Sequence, residues 1–206
     1  MHLKYNGSFY IVISAITILL ATLAISLWNN IPFEILSRDP LAVADLDPYT
    51  GILSNFGAIF WSLSFGICFF TFFTLLQKLI KLEKELIMFS GLLSLLLLTD
   101  DLFMLHEAVI PYFLGINEIF IFILYTAFFA FYFFYFRRDH LKSNFTMLIL
   151  AFFFFGISIV IDFFQDSILS NQRHFYEDGS KFMGIVFWTN YQFINCKRIV
   201  ISKMKI

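Results

Sequence analysis

Apolar blocks of roughly 18 residues or more, interrupted only by short charged segments, constrain this chain more than anything else in its sequence. Hydrocarbon offers no water to backbone N–H and C=O groups, so each block must close its own hydrogen bonds as a helix. The blocks predict spans over 9–28, 52–77, 86–111, 119–136, 145–164 and 180–196. The sixth is short and carries Asn190, Gln192 and Asn195. The expected fold is therefore an all-α, polytopic bundle of about six transmembrane helices, with residues 1–206 forming a single membrane domain. Composition agrees: 60% of residues are hydrophobic and 14% charged, against about 25% charged in soluble domains. That balance and a net charge of -1 exclude a disordered chain, a coiled coil and a nucleic-acid partner. The first block outruns a signal-peptide core of about 7–15 residues, and the cleavage-like triplet Ala42-Val43-Ala44 lies well past it, so it reads as a retained span. Cys68 and Cys196 give neither a disulfide framework nor a metal spacing, and are expected to pack as small apolar groups.

Sidedness follows from Lys and Arg. With the N-terminus inside, every Lys and Arg except Arg38, Arg173 and Lys181 falls on the cytoplasmic side. Both termini are then cytoplasmic, and the expected location is a bacterial inner membrane. The acids partition the other way, with only Glu83, Glu85 and Asp139 inside. Glu34, Asp39, Asp45 and Asp47 read as a solvated first outer loop.

The remaining acids gather at the outer ends of three spans. In span three, Asp100 and Asp101 precede His106 and Glu107. Asp100 lies roughly 21 Å along the helix from Leu86, below the surface of a core about 30 Å thick. An intramembrane carboxylate costs at least about 2.5 kcal/mol and defaults to a functional role. On an unbroken helix, Asp100 and Glu107 share a face, Asp101 and His106 flank it, and Pro111 ends it. In span five, Ser158, Asp162 and Asp166 share one face. Span six opens with Glu177 and Asp178. Lys181 follows Glu177 at i, i+4, and Trp188 continues the Glu177 face. Asp100, Asp101, His106, Glu107, Asp162 and Glu177 are expected to converge on one outer-facing cavity.

Three kinds of chemistry suit such a cavity. The first is a divalent metal such as zinc, held by Asp101, His106 and Asp162, with Asp100, Glu107 and Glu177 as catalytic carboxylates. Arg173, Lys181 and Trp188 then meet the substrate, a membrane lipid, and the protein acts as a lipid-directed hydrolase. No HExxH or paired-His spacing supports it. The second is proton- or cation-coupled transport, for which acids at depth are typical. The inner halves of spans three to five offer only Ser90, Ser94, Tyr125, Thr126 and Thr146, while Asn190, Tyr191, Gln192 and Asn195 of span six line an inner half-path. A single outer-facing cup fits binding or surface chemistry better than a through-route, and six spans without a visible inverted repeat fit transport less well unless the protein forms a homo-oligomer. The third is a non-catalytic subunit that binds a partner helix or lipid.

The runs 99–107 (TDDLFMLHE) and 177–188 (EDGSKFMGIVFW) resemble a group of small multi-pass bacterial membrane proteins of uncharacterised function. The resemblance covers spans three to six and implies no activity. A looser one is to the alkaline ceramidase superfamily, which implies seven spans and zinc held by three His, an Asp and a Ser. This chain has six readable spans and no HxxxH pair, so only a metal site inside a helix bundle is implied.

Overall fold

The computed structural model describes the backbone of residues 7–163 and 173–204, with side chains described over 12–162 and 174–204. Among these residues the chain is all-helical, without strands. It divides into two compact units, Met1–Thr50 and Gly51–Ile206.

The first unit holds the apolar helix α1 (Gly7–Asn29) and two short helices, α2 (Phe33–Ser37) and α3 (Pro40–Val43). The Asp39 carboxylate caps α3 by accepting from the N–H groups of Leu41 and Ala42, with Pro40 at the first helical position. Glu34 pairs with Arg38 at 2.6 Å, and Asp47 accepts from the Tyr49 hydroxyl at 2.7 Å. These loop acids thus serve local structure.

The second unit contains α4 (Ile52–Leu75), α5 (Lys81–Phe103), α6 (Ile110–Leu114), α7 (Glu118–Tyr135), α8 (Arg137–Lys142), α9 (Phe145–Phe163) and α10 (Arg173–Met204). Each start has a local cause. Gly51 enters α4 at φ +69°, the left-handed region that glycine tolerates. Glu83 reaches back to accept the Ile80 N–H at 3.1 Å and caps α5. Asn117 caps α7 by accepting the Ile119 N–H at 2.9 Å.

Among the described residues, five helices are long and apolar enough to cross a membrane: α1, α4, α5, α7 and α9. The sixth predicted span, 180–196, is part of one 32-residue helix, α10, about 48 Å long and thus of spanning length. Its hydropathy is low because it packs centrally, against α9 and α4, and turns its polar residues inward. Trp188, Tyr191, Gln192 and Asn195 are all buried there. Close packing depends on Gly184, where an added Cβ would stand 2.6 Å from the Phe155 ring. The large side chains Phe70, Phe120, Phe128 and Phe153 lie exposed on the outside of the unit, the arrangement expected of a bundle whose solvent is lipid.

The predicted span 86–111 is not one helix. α5 ends at Phe103, Met104 takes the left-handed region at φ +49°, and a π-helical turn runs over Leu105–Val109 before α6. Pro111 therefore sits inside the first turn of α6 instead of ending a long helix. Left-handed backbone at a non-glycine residue costs about 1–3 kcal/mol and needs compensation. Asp100 supplies it by accepting the backbone N–H groups of Met104 and His106, through its carbonyl and its carboxylate respectively.

Candidate functional site

The C-terminal end of α5, the π-turn, the first half of α7 and the facing ends of α9 and α10 enclose a cavity of about 620 Å³. Asp100, Asp101, His106, Glu107, Asp162, Glu177 and Lys181 all line it, so residues more than seventy positions apart share one hollow.

Asp100 organises the site. It is 3% exposed and accepts three hydrogen bonds. Its Oδ1 takes the His106 backbone N–H at 2.9 Å and the Tyr125 hydroxyl at 3.1 Å, and its Oδ2 meets His106 Nδ1 at 2.6 Å. The break at Met104 makes this possible. A straight helix would carry His106 away from Asp100; the left-handed residue turns the chain so that backbone and ring both return to the carboxylate. Asp100 and Glu107 therefore do not share the face of one continuous helix that their spacing alone predicts. Glu107 stands beside the ring, its Oε1 3.3 Å from His106 Nε2, and its side chain is mostly exposed. His106 is itself 8% exposed and meets the Phe122 ring edge-on at 5.0 Å.

An imidazole has two ring nitrogens, and both here face carboxylates. Nδ1 is hydrogen-bonded to Asp100, and Nε2 lies within ion-pair distance of Glu107, a contact that is attractive as an ion pair only when the ring is protonated. Burial opposes a charged ring, but Asp100 and then Glu107 outweigh it against Lys181, and the His106 pKa is raised above its ordinary value.

Asp101 forms a second pair. Its Oδ1 lies 2.7 Å from Lys181 Nζ, and its Oδ2 accepts the Trp61 indole N–H at 2.9 Å. Lys181, spaced i, i+4 from Glu177 on α10, reaches across to α5. Asp162 and Glu177 are half-buried on the wall, and Ser158 is buried beside them. Asp166 lies outside the described residues, and so does the side chain of Arg173. His174 is exposed and not on the wall. Trp188, expected to touch substrate, does not line the cavity: it is fully buried and donates its N–H to Ser94 Oγ at 2.9 Å. Among the described residues, no group of three or more His, Cys, Asp or Glu is arranged to hold a metal ion, so Asp101, His106 and Asp162 share the cavity without forming such a set.

Several wall residues escaped the sequence reading. Tyr125 and Thr126, placed in the inner half, line this cavity because α7 starts at Glu118 and they lie two turns in. Glu118 itself joins the wall, and Trp61, Phe122, Phe129, Phe152 and Phe155 supply aromatic surface. A phenylalanine in a lipid span carries no signal that separates cavity wall from lipid face. Trp61 does, because a buried indole N–H needs an acceptor.

No curated protein and no solved structure matches the chain. One family model does match, over residues 11–194, and its description is a domain of unknown function, DUF8692. The matched stretch includes both resemblance-bearing runs and every wall residue of the cavity, and on it the chain belongs to the DUF8692 family.

Proposed function

We propose that this protein is a six-span membrane transporter, with α10 as the sixth span and both termini cytoplasmic, that couples the movement of a cation to a proton held in the acidic cavity. The orientation rests on charge. Lys78, Lys81, Lys84, Arg137, Arg138, Lys142, Lys197 and Lys203 belong to the end of the helices opposite the cavity, which by the positive-inside rule faces the cytoplasm. The cavity then opens outward, in the inner membrane of a bacterium.

The observation that carries the reading is His106 held between Asp100 and Glu107 on a cavity wall. Such a ring stores a proton and releases it when a competing positive charge reaches the carboxylates. The wall suits that competitor. Among the described wall residues, Asp100, Asp101, Glu107, Glu118, Asp162, Glu177 and Asp178 face one lysine and one histidine, and aromatic faces attract cations further. The same field repels phosphate and hydroxide, which weighs against hydrolysis of a phospholipid.

Vesicles containing the purified protein and a trapped pH dye test this. Sodium, potassium, magnesium and tetraethylammonium gradients are imposed in turn. At least one is expected to drive proton counterflow, which Asp100→Asn reduces at least tenfold. Wild-type vesicles as inert as empty ones under every gradient overturn the reading.

One contact favours a second reading, lipid-directed hydrolysis. Asp100 on Nδ1 orients the ring and leaves Nε2 toward the cavity, the arrangement of a histidine general base. Release of fatty acid or headgroup from outer-leaflet lipid, abolished by His106→Gln without any proton counterflow, selects it.

A further inference from the structure

Below the cavity lies a second buried polar assembly, on the other side of a layer of aromatic rings. Ser64 and Ser94 hydroxyls meet at 2.8 Å, and Ser90 meets the Tyr132 hydroxyl at 2.8 Å. Gln192 Nε2 donates to the same Tyr132 oxygen at 3.4 Å. The Tyr191 hydroxyl lies 2.7 Å from His140 Nδ1, and the His140 ring packs against the Tyr132 ring with centroids 4.8 Å apart. His140 Nε2 donates to the Tyr132 carbonyl at 3.2 Å, which leaves the Nδ1 lone pair to accept from Tyr191. His140 is fully buried, yet it sits on α8 among Arg137, Arg138 and Lys142, at the cytoplasmic end of the reading above. At that end Asp139 Oδ2, Asn195 Nδ2 and Arg198 Nε are buried without a hydrogen-bond partner among the described residues.

Each helix repeats the same order in depth. On α7, Tyr125 faces the cavity, Phe129 lies four residues on, and Tyr132 enters the buried assembly. On α5 the order is Asp101, Leu97, then Ser94 and Ser90; on α10 it is Lys181, Trp188, then Tyr191. The layer between consists of Trp61 and Trp188, with centroids 6.4 Å apart, packed with Phe129 and Phe155. The two indole N–H groups point to opposite sides, Trp61 to Asp101 and Trp188 to Ser94. An indole only donates, so it cannot pass a proton on.

Resting on the transport reading, we infer that Ser90, Tyr132, Tyr191 and His140 form the inner half of the proton route, closed from the cavity by the Trp61–Trp188 layer. In the relay each hydroxyl takes a proton on its oxygen and releases its own to the next group, ending on His140 Nδ1 beside Asp139. Net charge on each hydroxyl is unchanged after a transfer. The layer must part for a proton to pass, which keeps the two halves from connecting freely.

The dye-loaded vesicle assay separates this inference from the reading beneath it. Tyr132→Phe keeps the ring and removes the relay oxygen; Ser90→Ala removes the other end of the same bond and serves if Tyr132→Phe does not fold. Counterflow is expected to fall at least tenfold in either, while the His106 nitrogen resonances stay as in wild type. Counterflow abolished by Asp100→Asn but unaltered in Tyr132→Phe and Ser90→Ala overturns the inner route and leaves the cavity reading standing. No counterflow in wild type overturns both. Lowered thermal stability with wild-type counterflow also overturns it, because the hydroxyls then act only as packing.

Discussion

Two buried histidines, His106 and His140, sit at opposite ends of one helical bundle and meet opposite surroundings. His106 lies between two carboxylates on the wall of a cavity. His140 lies between a tyrosine hydroxyl and a backbone carbonyl in a packed interior. Carboxylates beside the first ring outweigh its burial and raise its pKa. Burial pushes the proton off the second, with the Tyr132 carbonyl and Asp139 only partly opposing, so its pKa is lowered. The same residue type is thus shifted toward its protonated form at one end and toward its neutral form at the other. Burial alone does not decide which; the partner on each ring nitrogen does.

The largest expected effect breaks the contrast at its cavity end. Asp100→Ala strips the acceptor from the His106 N–H, the His106 ring and the Tyr125 hydroxyl, and unsupports the left-handed Met104. Loss of about 3–5 kcal/mol is expected, read as a collapsed melting transition in detergent. Next is Lys181→Met, which leaves the Asp101 carboxylate with only the Trp61 N–H. Lys181 is partly exposed, so about 1–2 kcal/mol is expected, and Asp101→Asn in the same chain should recover most of it.

Gly184→Ala sharpens the comparison by touching the cavity without touching its charges. The new Cβ drives Phe155 toward the cavity it lines, at a cost of about 1–3 kcal/mol. Counterflow with tetraethylammonium is expected to fall more than with sodium, since the larger ion needs the space.

Opposed pKa shifts give opposed pH dependences. His106, raised in the fold, contributes stability that is complete below the unfolded value of about 6.5 and is lost as pH rises through its higher folded value. His140, lowered in the fold, contributes stability present above about 6.5 and lost as pH falls through its lower folded value. Melting temperature followed across pH 4–9 should lose its alkaline limb in His106→Gln and soften its acid limb in His140→Gln. The smallest effect is expected of Glu118→Gln on the cavity rim, within about 0.5 kcal/mol of wild type in the same melts.

Much of this was legible in the sequence, for identifiable reasons. Apolar blocks of spanning length announced α1, α4, α5, α7 and α9 because lipid-facing helices are apolar on most sides. The ends of α10 were not legible, since its inward face carries Tyr191, Gln192 and Asn195 and its hydropathy reads as that of a weak span. Asp100, His106 and Glu177 stood out as charges at depth, and one cavity collects them. The Asp100–His106 contact did not stand out. It depends on a left-handed Met104, and no glycine or proline marks that break. Nor did the serine–tyrosine chain, because hydroxyls scattered over four helices carry no pattern until the helices pack.

Nitrogen-15 NMR of histidine-labelled protein in detergent, assigned by comparison with His106→Gln, tests the central claim most directly. At pH 7 both ring nitrogens of His106 are expected to carry protons, and in Asp100→Asn the ring is expected to become neutral. A wild-type His106 with one bare ring nitrogen at pH 7 would contradict the proton store on which the transport reading depends.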